Sequence, residues 1–227
     1  MKKILMLVIV IVGFTSAQTF KVEKAKGNVS AQIGMNEKWS TVSADETLPV
    51  NSIIETGKNS IVQVNNGKII FTLNSSSALP LTDLKKMSLN DLILALAMED
   101  MLNAPKKKQE ANSKNTAVYG AQINGVKSPI VETNDFGVKR LNGAVQLAEN
   151  GYKESAVADA KETYRKYPAT KNIASFRIFF ADVLAGLGLN EDAYDEYKQI
   201  QSLKLTDDQK QQVQNKMDAL AMKLMKK

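Results

Sequence analysis

Paired carboxylates are the side chains of this chain whose types and spacing could support chemistry. Two neighbouring carboxyl groups can serve as a general acid and a general base. The pairs are Glu99-Asp100, Asp192 with Asp195-Glu196, and Asp207-Asp208. Each pair falls at a predicted helix start or on the polar face of a predicted helix, where a solvated charge accounts for it without a catalytic role. We therefore predict no catalytic residue.

The absence of two residue types removes most other chemistry. None of the 227 residues is a cysteine or a histidine, so the chain has no disulfide, no thiol nucleophile and no imidazole or thiolate metal ligand. The sequence also lacks a phosphate-binding glycine loop, a zinc-ligand spacing and a nucleophile elbow. These absences predict a non-enzymatic protein that holds no cofactor and no metal.

The net charge is modest and says little about partners. The formal charge is +6, and part of it lies in the Lys106-Lys107-Lys108 run and the Lys226-Lys227 end. A solvated charged surface explains these lysines better than an anionic partner does. We expect no nucleic acid partner, because no basic stripe is interleaved with aromatic residues.

Residues 1–17, MKKILMLVIVIVGFTSA, have the pattern of a secretory signal peptide. Lys2 and Lys3 precede an apolar run from Ile4 to Phe14, and small residues up to Ala17 suit a signal peptidase. The alternative is a retained anchor, but the run is shorter than the ~20 residues that span a bilayer as a helix. We predict cleavage after Ala17, and a periplasmic or secreted protein with no stable membrane span.

A hairpin between residues 61 and 72 is the first element that could position a binding surface. Asn66-Gly67 predicts a two-residue turn. Val64 then falls opposite Ile69, and Val62 falls opposite Phe71. These side chains share one apolar face because side chains alternate along a strand. A hairpin with one fully apolar face needs further strands, which predicts a small β-sandwich or barrel with Trp39 in its core.

Short strands and turn glycines between Phe20 and Leu79 resemble the FecR-like periplasmic domain. The matching positions are Gly27, Val29, Ile54, Thr56, Gly57, Ser60, Gly67, Ile70, Asn74, Ser77 and Leu79. The resemblance covers residues 20–79 and implies an all-β module. We expect the module to extend over 20–127, with a strand within 116–123 resuming the sheet after an inserted helix, 88–103, and a polar linker, 104–115.

The predicted helix 88–103 begins at a capping box and ends before Pro105. Ser88 is placed to cap it, with Asp91 in the first turn. One helical face carries Leu89, Leu92, Ile93 and Leu96. We expect this face to pack across an open end of the β-module. A membrane-surface helix is the less favoured alternative, because the polar face is not basic.

The second half of the chain repeats itself. Residues 147–156 recur as residues 184–193, an offset of 37, and each copy is a helix, a glycine turn and a second helix. The repeats resemble tetratricopeptide repeats, whose period is about 34 residues. Pro168 suits the end of the first unit, whereas Arg140 and Arg177 stand at the usual tryptophan position. The fold class expected is therefore multidomain, with a β-module followed by an α-solenoid over 136–227 and a capping helix over 206–225.

These resemblances imply an interaction or scaffold protein of the bacterial cell envelope that binds a protein or an envelope polymer. The predicted partner-binding residues, on the concave face of the repeats, are Leu141, Val145, Ile178 and Asp182. One alternative is an accessory component of a FecR-type sensing system. A second alternative is a factor associated with polysaccharide or peptidoglycan.

Two repeats leave apolar surface uncovered at the first helix, near Leu141 and Val145. We expect the β-module to cover it, because the connection Ser128 to Asp135 is short and Pro129 stiffens it. Oligomerisation through this open end is the alternative. If the module covers it, a fragment that begins at Asp135 should melt at a lower temperature and self-associate.

Overall fold

The structure, a computed structural model, describes residues 18–34, 36, 38–103 and 129–225. These residues form two small antiparallel sheets and six α-helices, so the mixture of β and α structure that the sequence predicts is confirmed. The predicted signal peptide (1–17), the linker (104–115) and the strand within 116–123 lie outside the described residues.

Eight strands occur among the described residues. They are β1 (Thr19–Lys26), β2 (Val29–Ile33), β3 (Trp39–Thr41), β4 (Thr47–Pro49), β5 (Ser52–Thr56), β6 (Ile61–Asn65), β7 (Ile70–Leu73) and β8 (Ala78–Pro80). One sheet has the order β4-β1-β6-β7 and the other has the order β3-β2-β5-β8. Apolar residues alternate with polar ones along the strands, and the buried side chains of both sheets belong to one core. This alternation is why each sheet buries only one face.

The predicted hairpin forms, but its register differs by two residues. Val64 pairs with Phe71 rather than with Ile69. The cause is the side chain of Asn66, whose Oδ1 accepts hydrogen bonds from the backbone N–H groups of Lys68 and Ile69. These bonds move the turn to Gly67-Lys68. The apolar face survives because a shift of two residues keeps every side chain on its side of the sheet.

The expectation that Trp39 lies in the β-core is wrong. The side chain is 38% exposed on strand β3. Its ring meets Phe136 of the helical half edge-on, with 5.5 Å between centroids. Trp39 therefore belongs to the contact between the two halves of the molecule.

The helices are α1 (Leu89–Asn103), α2 (Phe136–Glu149), α3 (Lys153–Lys166), α4 (Ala174–Gly186), α5 (Asn190–Ile200) and α6 (Asp207–Leu224). Short 3-10 helices cover Leu81–Asp83 and Pro168–Asn172. Helix α2 packs on α3, α4 on α5, and α5 on α6. The last helix thus packs on the final hairpin, as a terminal helix in a stack is expected to do.

The 37-residue sequence repeat corresponds to two helical hairpins with the same turn. The α2–α3 turn places Gly151 at φ +87°, and the α4–α5 turn places Gly188 at φ +82°. In each turn the residue after the glycine donates to the carbonyl five residues earlier, at 2.9 Å in the first turn and 3.1 Å in the second. This is the Schellman arrangement that glycine favours. The two helical hairpins are therefore built in the same way.

A buried ion pair recurs with the same offset. Arg140 of α2 donates to Asp159 of α3, and Arg177 of α4 donates to Glu196 of α5. Each acid follows its arginine by 19 residues. All four side chains are buried, so the prediction that the carboxylate of Glu196 lies on a polar helix face is wrong. Each buried arginine is therefore paired with an acid of its own hairpin.

The β-module covers the first helix of the repeats, as predicted. Leu141 and Val145 of α2 have no exposed surface. The backbone of α2 approaches β8 so closely at Gly143 that a Cβ there would lie 3.0 Å from the carbonyl carbon of Ala78, and closer still to its oxygen. Buried residues of both halves form one continuous core.

Polar residues of the turn 74–77 complete this contact. The side-chain oxygen of Gln146 accepts from the backbone N–H of Asn74 at 2.8 Å, and its amide nitrogen donates to the Ser77 hydroxyl at 2.7 Å. Asn142 donates to the Ser76 carbonyl at 2.6 Å. Asn142, Gln146 and Ser77 are buried, so their polar groups need these partners. The turn 74–77 therefore fixes α2 against the β-module through side-chain hydrogen bonds.

Helix α6 opens with the predicted capping box, and this gives a first prediction. Thr206 accepts from the N–H of Gln209 at 3.2 Å, while the Gln209 side chain accepts from the N–H of Thr206 at 3.1 Å. We expect Thr206→Ala to lower the free energy of unfolding by about 1 kcal/mol, measured by urea unfolding. Gln209→Ala, which removes only the return bond, should cost less. Equal losses from both substitutions would contradict this.

Candidate functional site

Helix α1 begins where the sequence predicts. The Ser88 hydroxyl accepts from the N–H of Asp91 at 3.1 Å, and the Asp91 carboxylate accepts from the N–H of Ser88 at 3.2 Å. This reciprocal pair satisfies two backbone donors that a helix start leaves without partners. The hydrogen bonds from Ser88 also lower the pKa of Asp91. The helix start is therefore fixed by local side chains.

One side of α1 packs on the helical half. Leu92 and Leu96 are buried, and α3 is the main packing partner. The Arg165 side chain of α3 donates from Nε to both oxygens of Glu99, at 2.9 and 3.1 Å. The expectation that the helix packs across an open end of the β-module is therefore wrong. Leu89 and Ile93, which were expected on the buried face, are exposed.

Two parallel rows of uncharged side chains lie on the solvent side of α1, next to the exposed carboxylate of Asp91. Residues four apart in a helix lie above one another on the same face. One row is Leu89, Ile93, Ala97 and Met101, and the other is Asn90, Leu94, Met98 and Leu102. The six large apolar side chains are between 39% and 71% exposed. We call these eight residues the apolar rows.

The apolar rows stand out against the rest of the surface. Half of the exposed large apolar side chains among the described residues lie on this one helix, and the others are scattered. The outward side of a helix on a protein surface normally carries charged and polar residues. Contiguous exposed apolar surface marks an interaction site more often than isolated side chains do. The apolar rows are the candidate functional site.

A charged cavity lies on the other side of α1. It has a volume of about 300 Å³ and is bounded by residues of α1, α3, α4 and α5, with Leu96 at the α1 side. Glu196 lies in its wall and accepts from Lys161 at 2.7 Å and from Arg177. The Arg177 guanidinium lies 5.9 Å from the ring centre of Tyr164. These contacts join three helices through one acid.

The electrostatics of the cavity follow from burial and pairing. Burial opposes ionisation of Glu196, but Lys161 and Arg177 outweigh it and lower the pKa of this carboxyl. Burial and the charge of Glu196 raise the pKa of the Tyr164 phenol well above its usual value. The Tyr164 hydroxyl is buried and has no hydrogen-bond partner in the described structure. The ion pairs of this cavity hold α3, α4 and α5 together.

A second group of charges lies where the β-module meets the helices. Asp83 follows β8, and Arg140 and Asp159 belong to α2 and α3. Burial, followed by the negative charge of Asp159, raises the pKa of Asp83 to about 8, although Arg140 offsets part of the shift. The Oδ2 atoms of Asp83 and Asp159 are buried without hydrogen-bond partners in the described structure. We call these two residues the buried acid pair after these two atoms, since Asp83 as a whole is half-buried.

The predicted partner-binding residues are not brought to an open face. Leu141 and Val145 lie against the β-module, and Ile178 is buried in α4. Asp182 accepts from the Tyr197 hydroxyl at 2.7 Å and pairs with Lys216 of α6. The expectation that the first three line an accessible groove is wrong, since neighbouring elements cover them. The apolar rows were not predicted, although Glu99 and Asp100 are the only two residues of 92–102 that are not apolar, which was a readable signal.

Two further properties concern only the part of the chain that the structure describes. Within residues 18–34, 36, 38–103 and 129–225, no group of three or more acidic side chains is placed to hold a metal ion. No helix in the same ranges is both long enough and apolar enough to cross a membrane. Comparisons with family models, curated proteins and solved structures gave no match for this chain.

Proposed function

We propose that this chain is an exported, non-enzymatic interaction protein of the bacterial cell envelope, which binds a protein partner through the apolar rows of α1. Export is supported by the signal-like pattern of residues 1–17. The pattern of Gly27 to Leu79 supports a FecR-like module, and the 37-residue repeat supports a tetratricopeptide-like helical half. Modules of both kinds serve in recognition rather than in catalysis.

The observation that carries the proposal is the uncovered face of α1. Side chains such as Leu94, Met101 and Leu102 are each at least 60% exposed, which leaves apolar surface in water at a cost of roughly 25 cal/mol per Å². A protein partner that covers the face recovers this free energy. Methionine suits such a face, because its flexible side chain adapts to different partner surfaces.

The rest of the molecule makes the face a rigid platform. Helix α1 is fixed to α3 by the packing of Leu92 and Leu96 and by the ion pair between Arg165 and Glu99. The Ser155 hydroxyl of α3 also donates to the Lys85 carbonyl at 2.8 Å. A preformed face loses less conformational entropy on binding than a mobile one does. The β-module and the helices then act as one scaffold that presents the face.

Capture from envelope extract tests the proposal. The bait is the chain from Gln18, with or without Met98→Glu, which places a charge in the centre of the apolar rows. We expect the variant to lose envelope proteins that the unchanged bait retains, because burying an unpaired carboxylate is costly. Each protein identified in this way should then bind the unchanged chain, and not the variant, when both are purified.

The matched control is Met222→Glu, which makes the same change at an exposed methionine of α6. It should capture what the unchanged bait captures. If Met98→Glu and the unchanged bait capture identical sets of proteins, α1 is not the binding face and the proposal fails.

A further inference from the structure

We propose that the pair Asn66-Gly67, at the tip of the β6–β7 hairpin, is a deamidation site that reacts while the chain is folded. The sequence contains four Asn-Gly pairs. Such pairs are prone to this reaction because glycine has no side chain to hinder the attacking nitrogen. Asn124-Gly125 lies outside the described residues. The inference goes beyond the proposed function and does not depend on it.

The reaction needs no group other than the chain and water. The backbone nitrogen of Gly67 forms a bond with the side-chain carbonyl carbon, Cγ, of Asn66 and gives up its proton. The Cγ–Nδ2 bond breaks, and the side-chain nitrogen takes up the proton and leaves as ammonia. Water then opens the resulting five-membered succinimide at one of its two carbonyl carbons. The products are aspartate, with the backbone unchanged, and isoaspartate, in which the backbone runs through Cβ and Cγ.

The hydrogen bonds of the Asn66 side chain favour this reaction. Its Oδ1 accepts from the backbone N–H groups of Lys68, at 3.1 Å, and of Ile69, at 2.9 Å. Negative charge collects on this oxygen when the Gly67 nitrogen adds to Cγ, and two backbone donors that point at it stabilise the charge, as in an oxyanion hole. No described residue accepts a hydrogen bond from Nδ2 of Asn66, so the leaving group is not held in place.

The tip of the hairpin brings the attacking nitrogen into contact with water. Gly67 and Lys68 are exposed, and a Cβ at Gly67 would meet nothing within 4 Å. The Gly67 N–H donates at 2.7 Å to the side-chain oxygen of Asn65, in a hydrogen bond at the surface. Water can replace such a bond at low cost, because exposed turns open locally. The nitrogen can therefore lose its proton in the folded chain.

The fold protects the pair Asn142-Gly143. Asn142 has no exposed surface, and its Nδ2 donates to the carbonyl groups of Ser76 and Val131 at 2.6 and 2.7 Å. The backbone of Gly143 lies inside α2 and against the Ala78 carbonyl of β8. Attack on Cγ would require α2 to unwind while it is packed on the sheet. The same dipeptide should therefore be stable here.

The pair Asn150-Gly151 is exposed but is held by the end of α2. The Nδ2 atom of Asn150 donates to the Gln146 carbonyl at 2.7 Å, so its leaving group is held in place. The Gly151 N–H donates to the Ala148 carbonyl at 3.1 Å. Both bonds must break before the ring can close. We expect Asn150 to react more slowly than Asn66.

Deamidation at Asn66 is expected to weaken the hairpin. Isoaspartate lengthens the backbone of the turn by one carbon atom, and the Cγ carbonyl becomes part of the chain. The side-chain bonds to Lys68 and Ile69 that place the turn are then lost, so the pairing of β6 with β7 is no longer fixed. Chains that carry isoaspartate at this position should unfold at a lower temperature than the parent.

Peptide mapping measures the three described sites in one sample. The purified chain from Gln18 is kept folded in mildly alkaline buffer, which favours loss of the Gly67 proton, and is then digested with trypsin. Asn66 falls in the peptide 59–68, while Asn142 and Asn150 fall together in the peptide 141–153. Fragment masses assign the change from amide to acid to each position, and a sample digested at time zero gives the background. We expect Asn66 to react at least about tenfold faster than either of the other two.

The unfolded chain is the control for the effect of structure. In urea the three sites, each the same dipeptide, should react at similar rates. Thermal unfolding of Asn66→Asp, which carries the aspartate product with a normal backbone, should show a smaller loss than the isoaspartate form of the parent. No conversion of Asn66 in the folded chain would overturn the inference, as would conversion of Asn142 or Asn150 at the same rate.

Discussion

Replacing Gly143 with alanine is expected to lower the free energy of unfolding by about 3 kcal/mol or more, the upper end of the range for overpacked sites. A Cβ at this position meets the backbone of Ala78, which belongs to strand β8 and cannot turn aside as a side chain can. Helix α2 must then move away from the sheet. That movement also strains the hydrogen bonds of Asn142 and Gln146 with the turn 74–77.

The one tryptophan of the chain provides the readout. Trp39 touches Phe136 at the start of α2, so its fluorescence should shift to the red when α2 leaves the sheet. Circular dichroism and fluorescence during urea unfolding measure the loss of free energy. Gly186→Ala is the matched control, because a Cβ there meets nothing within 4 Å. It should stabilise the protein by up to about 1 kcal/mol. Similar unfolding midpoints for the two variants would contradict a close contact at Gly143.

The buried acid pair gives the second large effect, a loss of stability as the pH rises from about 4 to about 8. The pKa of Asp83 is about 8 in the folded chain, against 3.8 for the ordinary side chain. Between these values the folded state keeps a proton that the unfolded state has released. The unfolded state then binds fewer protons, so the free energy of unfolding falls with rising pH, by at most about 1.4 kcal/mol per unit.

Asp83→Asn should remove most of this slope. Asparagine has nearly the shape of the protonated acid and cannot ionise, so the variant is expected to be more stable than the parent at pH 8, by a smaller margin at pH 5, and similar to it near pH 4. Urea unfolding at each pH from 5 to 8 measures the slope. Asp218→Asn, a change at an exposed carboxylate of α6, is the control and should keep the parent slope. Parallel lines for parent and Asp83→Asn would refute a buried, protonated Asp83.

The stability should also fall in stronger acid, for the opposite reason. The pKa of Glu196 is lowered in the folded chain because Lys161 and Arg177 outweigh the effect of burial. Below the ordinary value of 4.5, the unfolded state takes up a proton before the folded state does. This contribution is present above that pH and is lost as the pH falls. Together with Asp83, it places the highest stability near pH 4 to 5.

The periodic features of the fold could be predicted from the sequence. Alternation placed Val62, Val64 and Phe71 on one buried face, and the repeated glycine turn located both helical hairpins. The register of the β6–β7 hairpin could not be predicted from the sequence. A glycine can occupy either central position of a two-residue turn, and the bonds of the Asn66 side chain decide between them.

The candidate site could not be located from periodicity, because periodicity does not say what lies against a face. Leu141 and Val145 form an apolar stripe whether they face a partner or the β-module, and only the tertiary contact with β8 decides. Helix α1 has the opposite problem. Its apolar side chains occur on every side and its acids Asp91, Glu99 and Asp100 are spread around it, so its sequence selects no single buried face. The side that turns inward is the one on which Glu99 accepts from Arg165.

In each helical hairpin the charge of the buried arginine is balanced within the same hairpin. The arginine inside each one is balanced by an acid of the same hairpin, Asp159 for Arg140 and Glu196 for Arg177. A hairpin of this kind can be duplicated or lost as a whole without leaving its arginine unpaired in the core, which would cost several kcal/mol. A substitution of one partner alone is far more damaging. The length of the helical half can therefore change in steps of 37 residues more easily than its internal charges can change one at a time.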